Sequence, residues 1–201
     1  MGNPYFGPDP AVSRQVREKL HRITSEGVEW ERLALQADAV LAVAAEHQLS
    51  IELVERVVSG PVFNCFRYAL QLRELPEEII DVCMCATPPT GVKPDFIRKL
   101  VSERLVRRLP NDVREGDLAV YWDCEVIAHA GIVRRGKVES KWGRGHVWRH
   151  RVFEVPCAYG SEVQFFEPID RTCALNEFVA HLRALYGSDL VDDYLGENWE
   201  E

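Results

Sequence analysis

Apolar positions recur at helical spacing through the first half of the chain and at strand spacing through much of the second. Val12, Val16, Leu20 and Ile23 fall on one face of a helix opposite Arg14, Arg17, Glu18 and Lys19. Thr24, Ser25 and Gly27 interrupt it, and the Ala-, Leu- and Val-rich stretch 28–47 predicts a second helix. Ser50 is placed to cap a third over 51–58. Gly60 and Pro61 break that run. Asn64 is a favoured N-cap, so Cys65 takes the first position of a short helix carrying Phe66, Tyr68, Ala69 and Leu70. Further helices are expected over 76–85, with Pro76 in the first turn, and from Pro94 through Leu105. At Arg114-Glu115-Gly116-Asp117 the period shortens to that of a strand. Residues 118–122, 126–133 and 138–142 predict strands, the last two joined by a turn at Arg135-Gly136. Residues 152–155 and 162–166 predict two more, and 173–186 a final helix. Helices followed by an antiparallel meander make an α+β chain. Its expected divisions are a helical appendage over 1–60, a core over 61–170, and a terminal helix with acidic tail over 171–201.

Composition narrows the class without naming a function. The chain has 201 residues, 46% of them hydrophobic and 28% charged, as in a soluble globular protein. Its net charge of −8 is concentrated after Arg183, where six acidic residues (Asp189, Asp192, Asp193, Glu197, Glu200 and Glu201) face no basic one. No apolar run approaches the roughly 20 residues of a membrane span. The polar, proline-rich first ten residues lack the pattern of a secretory signal, so the expected location is cytoplasmic, with no membrane partner. The 6 cysteines form no small secreted framework and read as reduced thiols. Cys83-Met84-Cys85 has no second pair to complete a zinc site, and His146 and His150 lack a third ligand, so neither a metal nor a cofactor is expected.

Two residues carry candidate chemistry. A cysteine at a helix N-terminus meets unpaired backbone N–H groups that favour a thiolate, the reactive form. The alternative for Cys65 is a buried structural thiol. His129 lies in a predicted strand among the small residues Ala128, Ala130 and Gly131, which leave room for a substrate or another backbone. An imidazole beside a thiol lowers its pKa and protonates a leaving group.

The ordered motifs Asn64-Cys65 with Tyr68-Ala69, Gly116-Asp117-Leu118 with Val120-Tyr121, and His129-Ala130-Gly131-Ile132-Val133 resemble those of the NlpC/P60 and CHAP cysteine hydrolases. The resemblance covers residues 61 to about 166. It implies a papain-like core in which a nucleophile helix packs on an antiparallel sheet, with Cys65 as nucleophile and His129 as base. Its third catalytic position follows on the next strand. A turn at Arg135-Gly136 pairs Val133 with Val138 and places His129, Gly131, Ser140 and Trp142 on one face, Glu139 and Lys141 on the other. Ser140 then matches that position, where the family carries His, Asn, Gln or an acid; a one-residue slip substitutes Glu139. Asn64 is a helix cap or an oxyanion support.

The implied reaction is cleavage of an amide in a peptide or protein conjugate through a thioacyl-enzyme. Acyl transfer or thioester cleavage on the same pair is the alternative, as is a catalytically silent binding module. For that module the basic stretch 134–151, interleaved with Trp142, His146, Trp148 and His150, offers phosphate contacts and stacking to nucleic acid, or a solvated face only.

Overall fold

The computed structural model describes residues 12–25, 30–57, 63–86, 92–103, 105–109, 113–143 and 145–195, giving only the backbone of 30–32 and 84–86. The expected leader over 1–9 and the last six acidic-tail residues lie outside them. Helices α1 (Arg14–Ser25) and α2 (Trp30–Glu46) come first. They are followed by strand β1 (Glu52–Glu55) and helices α3 (Cys65–Ala69), α4 (Glu77–Ala86) and α5 (Pro94–Ser102). Strands β2 (Arg108–Leu109), β3 (Leu118–Asp123), β4 (Val126–Arg134), β5 (Lys137–Lys141), β6 (Val147–His150) and β7 (Glu162–Phe166) then form the sheet. Helices α6 (Arg171–Tyr186) and α7 (Ser188–Leu195) close the described chain.

All seven strands join one antiparallel sheet in the order β1-β6-β5-β4-β3-β7-β2. The α+β reading holds, but β2 and α7 are not among the expected elements and three other segments take a different form. Residues 52–55 are a strand rather than the expected third helix: Ile51 to Glu55 suits either period, and pairing of Glu52 with Arg149 decides it. Residues 147–150, read as part of a charged loop, are the interior strand β6. Residues 152–155 turn instead, and the buried Glu154 carboxylate binds the Ser50 and Arg151 N–H groups there.

The sheet separates two cores. On one face α3 to α7 bury Phe66, Ile79, Phe96, Phe178 and Val191 against Leu118, Val120, Ile127 and Ala130. On the other, α1 and α2 bury Val16, Leu20, Ala37 and Val40 against Tyr121, Val138, Trp142 and Trp148. The residues before Cys65 therefore share the sheet and a core with those after it. Arg17 of α1 donates to the carbonyls of Val155 (3.1 Å), Pro156 and Gly160 (2.5 Å), fixing the 3-10 turn Cys157–Tyr159. Among the described residues no helix is long and apolar enough to cross a membrane.

Candidate active site

The hairpin between β4 and β5 pairs as its turn residues predict. Arg135 and Gly136 adopt φ of 53° and 70°, and Val133 lies opposite Val138, Ile132 opposite Glu139. The ladder ends there. Gly131 packs so tightly that a Cβ would lie 2.5 Å from Val138 Cγ1 and 2.7 Å from the Glu139 carbonyl. Beyond it, the Ala130 N–H acts on Cys65 and favours its thiolate.

Cys65 begins α3 as expected. Asn64 Oδ1 accepts from the Arg67 N–H at 3.0 Å, and its Nδ2 donates to the Val92 carbonyl at 2.6 Å. Both ends of the Asn64 amide are thus engaged, as a helix cap and as an anchor to the Val92 carbonyl. With five residues, α3 has little macrodipole, so the local N–H groups matter more. The N–H groups of Ala130, Phe66 and Cys65 itself favour the thiolate, and so does the Lys141 ammonium. Desolvation outweighs them and pushes the thiol up to about 11. The residue as a whole is only partly buried.

Lys141, which counting placed on the face of β5 opposite His129, is a functional candidate that sequence reasoning passed over. It is 2% exposed, donates to the Gly145 carbonyl and lies 4.8 Å from the Phe63 ring centroid. Burial lowers its pKa to about 8, against opposing pulls from the Glu55 and Cys65 charges. A lysine in alternation with Glu139 signals this only once α3 is known to cover that face.

His129 lies on the other side of β4. Tyr121 pairs with His129 but Trp122 pairs with Ile127, so Ala128 is a bulge that turns His129 away from the face of Ile127. The ring stacks on Tyr159, centroids 3.9 Å apart, and tilts against Tyr121 at 5.5 Å. It is 1% exposed, and its Nε2 has no hydrogen-bond partner among the described residues. Desolvation, then the nearby His150, hold it well below the usual imidazole range. No described hydrogen bond joins it to Cys65. Cys65 packs into the core on the α3 side of the sheet, whereas Tyr121 and Tyr159, the rings around His129, belong to the α1–α2 side; the Cys65 charge acts on Tyr159.

Ser140 shares the face of His129, yet its hydroxyl is engaged elsewhere. It lies 2.8 Å from His150 Nε2 and accepts from Trp142 Nε1 at 3.1 Å. His150 Nδ1 lies 2.8 Å from the Arg151 carbonyl, so Nδ1 carries the proton and the Ser140 hydroxyl donates to Nε2. Glu139, the other candidate third residue, accepts from the Tyr68 hydroxyl at 2.9 Å and from Arg149. Neither is bonded to His129.

The remaining motifs are structural. Gly116, at φ 94°, donates to the Val133 carbonyl, and the buried Asp117 carboxylate accepts the Arg114 N–H, turning the chain into β3. Trp142 and Trp148 are fully buried, which removes them as stacking platforms for nucleic acid. Lys137 and Arg149 pair with Glu52. Val57 N–H donates to His146 Nδ1 at 3.0 Å and His146 Nε2 donates to the Leu33 carbonyl, so both its nitrogens are used. The Cys85 side chain lies outside the described residues, and among those described no group of three metal-ligating side chains converges. The chain matches no protein-family model, and comparison with curated proteins and with solved structures finds no match.

Proposed function

We propose that the chain is a cysteine-dependent hydrolase acting on an amide, with a papain-like arrangement of α3 on β4 and β5. The observation that carries the reading is Cys65 at the start of α3, where the N–H groups of Ala130, Phe66 and Cys65 itself and the buried Lys141 ammonium favour its thiolate. Such groups favour a thiolate and then an oxyanion, because both place negative charge where preorganised donors already point.

In this reading Cys65 attacks the carbonyl carbon as its proton passes to His129. A carbon–sulfur bond forms, and the N–H cluster holds the oxyanion. The carbon–nitrogen bond then breaks as His129 returns the proton to the leaving amine. Water, deprotonated by His129, releases the acid and restores the thiol. Burial holds the His129 pKa well below 6.5, so the ring is neutral at pH 7, with a free lone pair but lowered basicity. Lys141, at about 8, stays largely charged there and supports the thiolate.

Incubation of the protein with a peptide library, read by mass spectrometry, tests the reading. Products should form with the parent protein and vanish with Cys65→Ala. His129→Gln should slow turnover by about 10²- to 10⁴-fold, the usual worth of a general base. The rate should fall as pH rises through 8 and Lys141 loses its charge. A rate that instead rises through pH 8 and survives His129→Gln would make Lys141 the base, a role its lowered pKa suits. Absence of any Cys65-dependent product, with Cys65 alkylated no faster than the exposed Cys124 and Cys173, would sink the hydrolase.

A further inference from the structure

One turn along α3 from Cys65, a cleft of about 430 Å³ opens between α3, β4 and the start of α6. Tyr68 and Ile132 line it, and Arg73, Arg134 and Arg171 surround them, with Gln71 and Glu74 completing the wall. Three guanidiniums around one small cavity stand out in a chain of net charge −8.

The three are not equivalent. Arg73 is neutralised: both its Nη atoms bind Glu55, at 2.8 and 2.6 Å, and its plane lies over the Phe63 and Tyr68 rings. It builds the wall. Arg171 donates one N–H to the Glu74 backbone carbonyl at 3.0 Å and has no carboxylate partner among the described residues. Arg134 reaches the Val133 carbonyl only at 3.4 Å, and its nearest carboxylate, Glu115, is 4.0 Å away. Most of the N–H groups on these two forks are therefore available. A guanidinium fork matches the paired oxygens of a carboxylate or phosphate. The opposing charge is Glu74, exposed at the rim. The volume falls in the range of small-molecule sites, and Tyr68 with Ile132 gives it an apolar floor.

We propose that this cleft is an anion-binding site, taking a small ligand or side chain that ends in a carboxylate or phosphate held between Arg134 and Arg171. The site stands on its own lining and does not depend on whether Cys65 reacts.

Isothermal titration of full-length Cys65→Ala protein tests it, because binding is then read without turnover. Glutarate and inorganic phosphate are the two probes, and the one that saturates identifies the anion. Arg134→Gln and Arg171→Gln should each weaken binding about tenfold, since a charge-assisted hydrogen bond contributes about 1.5–3 kcal/mol and 1.4 kcal/mol is tenfold. Glu74→Gln should tighten it severalfold, and added salt should weaken it. Arg107→Gln, which alters an exposed arginine paired with Glu167 elsewhere, should leave it unchanged. Each arginine variant is also read singly, with its melting temperature, so a misfolded one is recognised and the other decides. Failure of both probes to saturate at millimolar concentration overturns the proposal. So does binding that the folded Arg134 and Arg171 variants leave intact.

Discussion

Ser140 sits between two buried rings, donating to His150 Nε2 and accepting from Trp142 Nε1. Ser140→Ala would strand both nitrogens in a core where neither residue has any exposed surface. Each buried unsatisfied group costs about 1–3 kcal/mol, so denaturant unfolding should show a loss of at least that order. The Cys65 alkylation rate should hold steady, because the serine hydroxyl is bonded to His150 and Trp142. A matching fall in that rate would instead favour a role for Ser140 in the proposed chemistry. Lys141→Met isolates the other side of the site. Without the ammonium, the Cys65 thiol should titrate higher than about 11, and alkylation at a fixed pH near neutral should slow. Mass-spectrometric labelling across a pH series reads this directly. Unchanged labelling would show that the cation does not act on the sulfur.

The β4–β5 hairpin shows what the sequence makes legible and what it leaves hidden. Arg135-Gly136 sets the turn and the turn sets the register, so the sidedness of His129, Ser140, Glu139 and Lys141 followed from counting. Counting could not reveal the bulge at Ala128, an extra residue that appears only when β4 is laid against β3. Nor could it reveal hydrogen-bond partners, which is why Ser140 matched a motif position while its hydroxyl belongs to His150. Elements that depend on a distant partner were misread for the same reason. β1 and β6 are short, charged and ambiguous alone, and they define each other by pairing across nearly a hundred residues. The acidic tail gave no hint that α7 buries Val191 and Leu195. Gly131 is the residue on which the hairpin's tightness depends. Gly131→Ala would drive a methyl into the Glu139 carbonyl and force β4 and β5 apart. Overpacking of this kind costs about 1–3 kcal/mol, and a lowered melting temperature with faster amide exchange in β5 would reveal it.

Over the whole molecule, pH should act chiefly through buried histidines. Burial lowers His150 from 6.5 to about 4, and His129 falls well below 6.5 as well. A group whose folded pKa is depressed contributes its full stability above the unfolded value, here 6.5. That stability is lost as pH falls toward the folded value. His150 alone accounts for on the order of 3 kcal/mol across that interval. Melting temperatures should therefore be flat above pH 6.5 and decline toward pH 4, and His150→Gln should flatten part of the decline. The placement of β1 has a different consequence, for how the protein can be cut. The motif-bearing residues begin near 61, which invites expression of a fragment starting there. Such a fragment would lose the strand that covers β6, baring a row of unpaired N–H and C=O groups beside Val147 and Trp148. It would also lose Arg17, and with it the clamp behind Tyr159 and the His129 stack. Light scattering should find the 61–201 fragment self-associated at concentrations where the full chain stays dispersed. The smallest autonomous unit is thus larger than the motif-bearing stretch, with the N-terminal helices backing the turn that carries Tyr159 and its stack on His129.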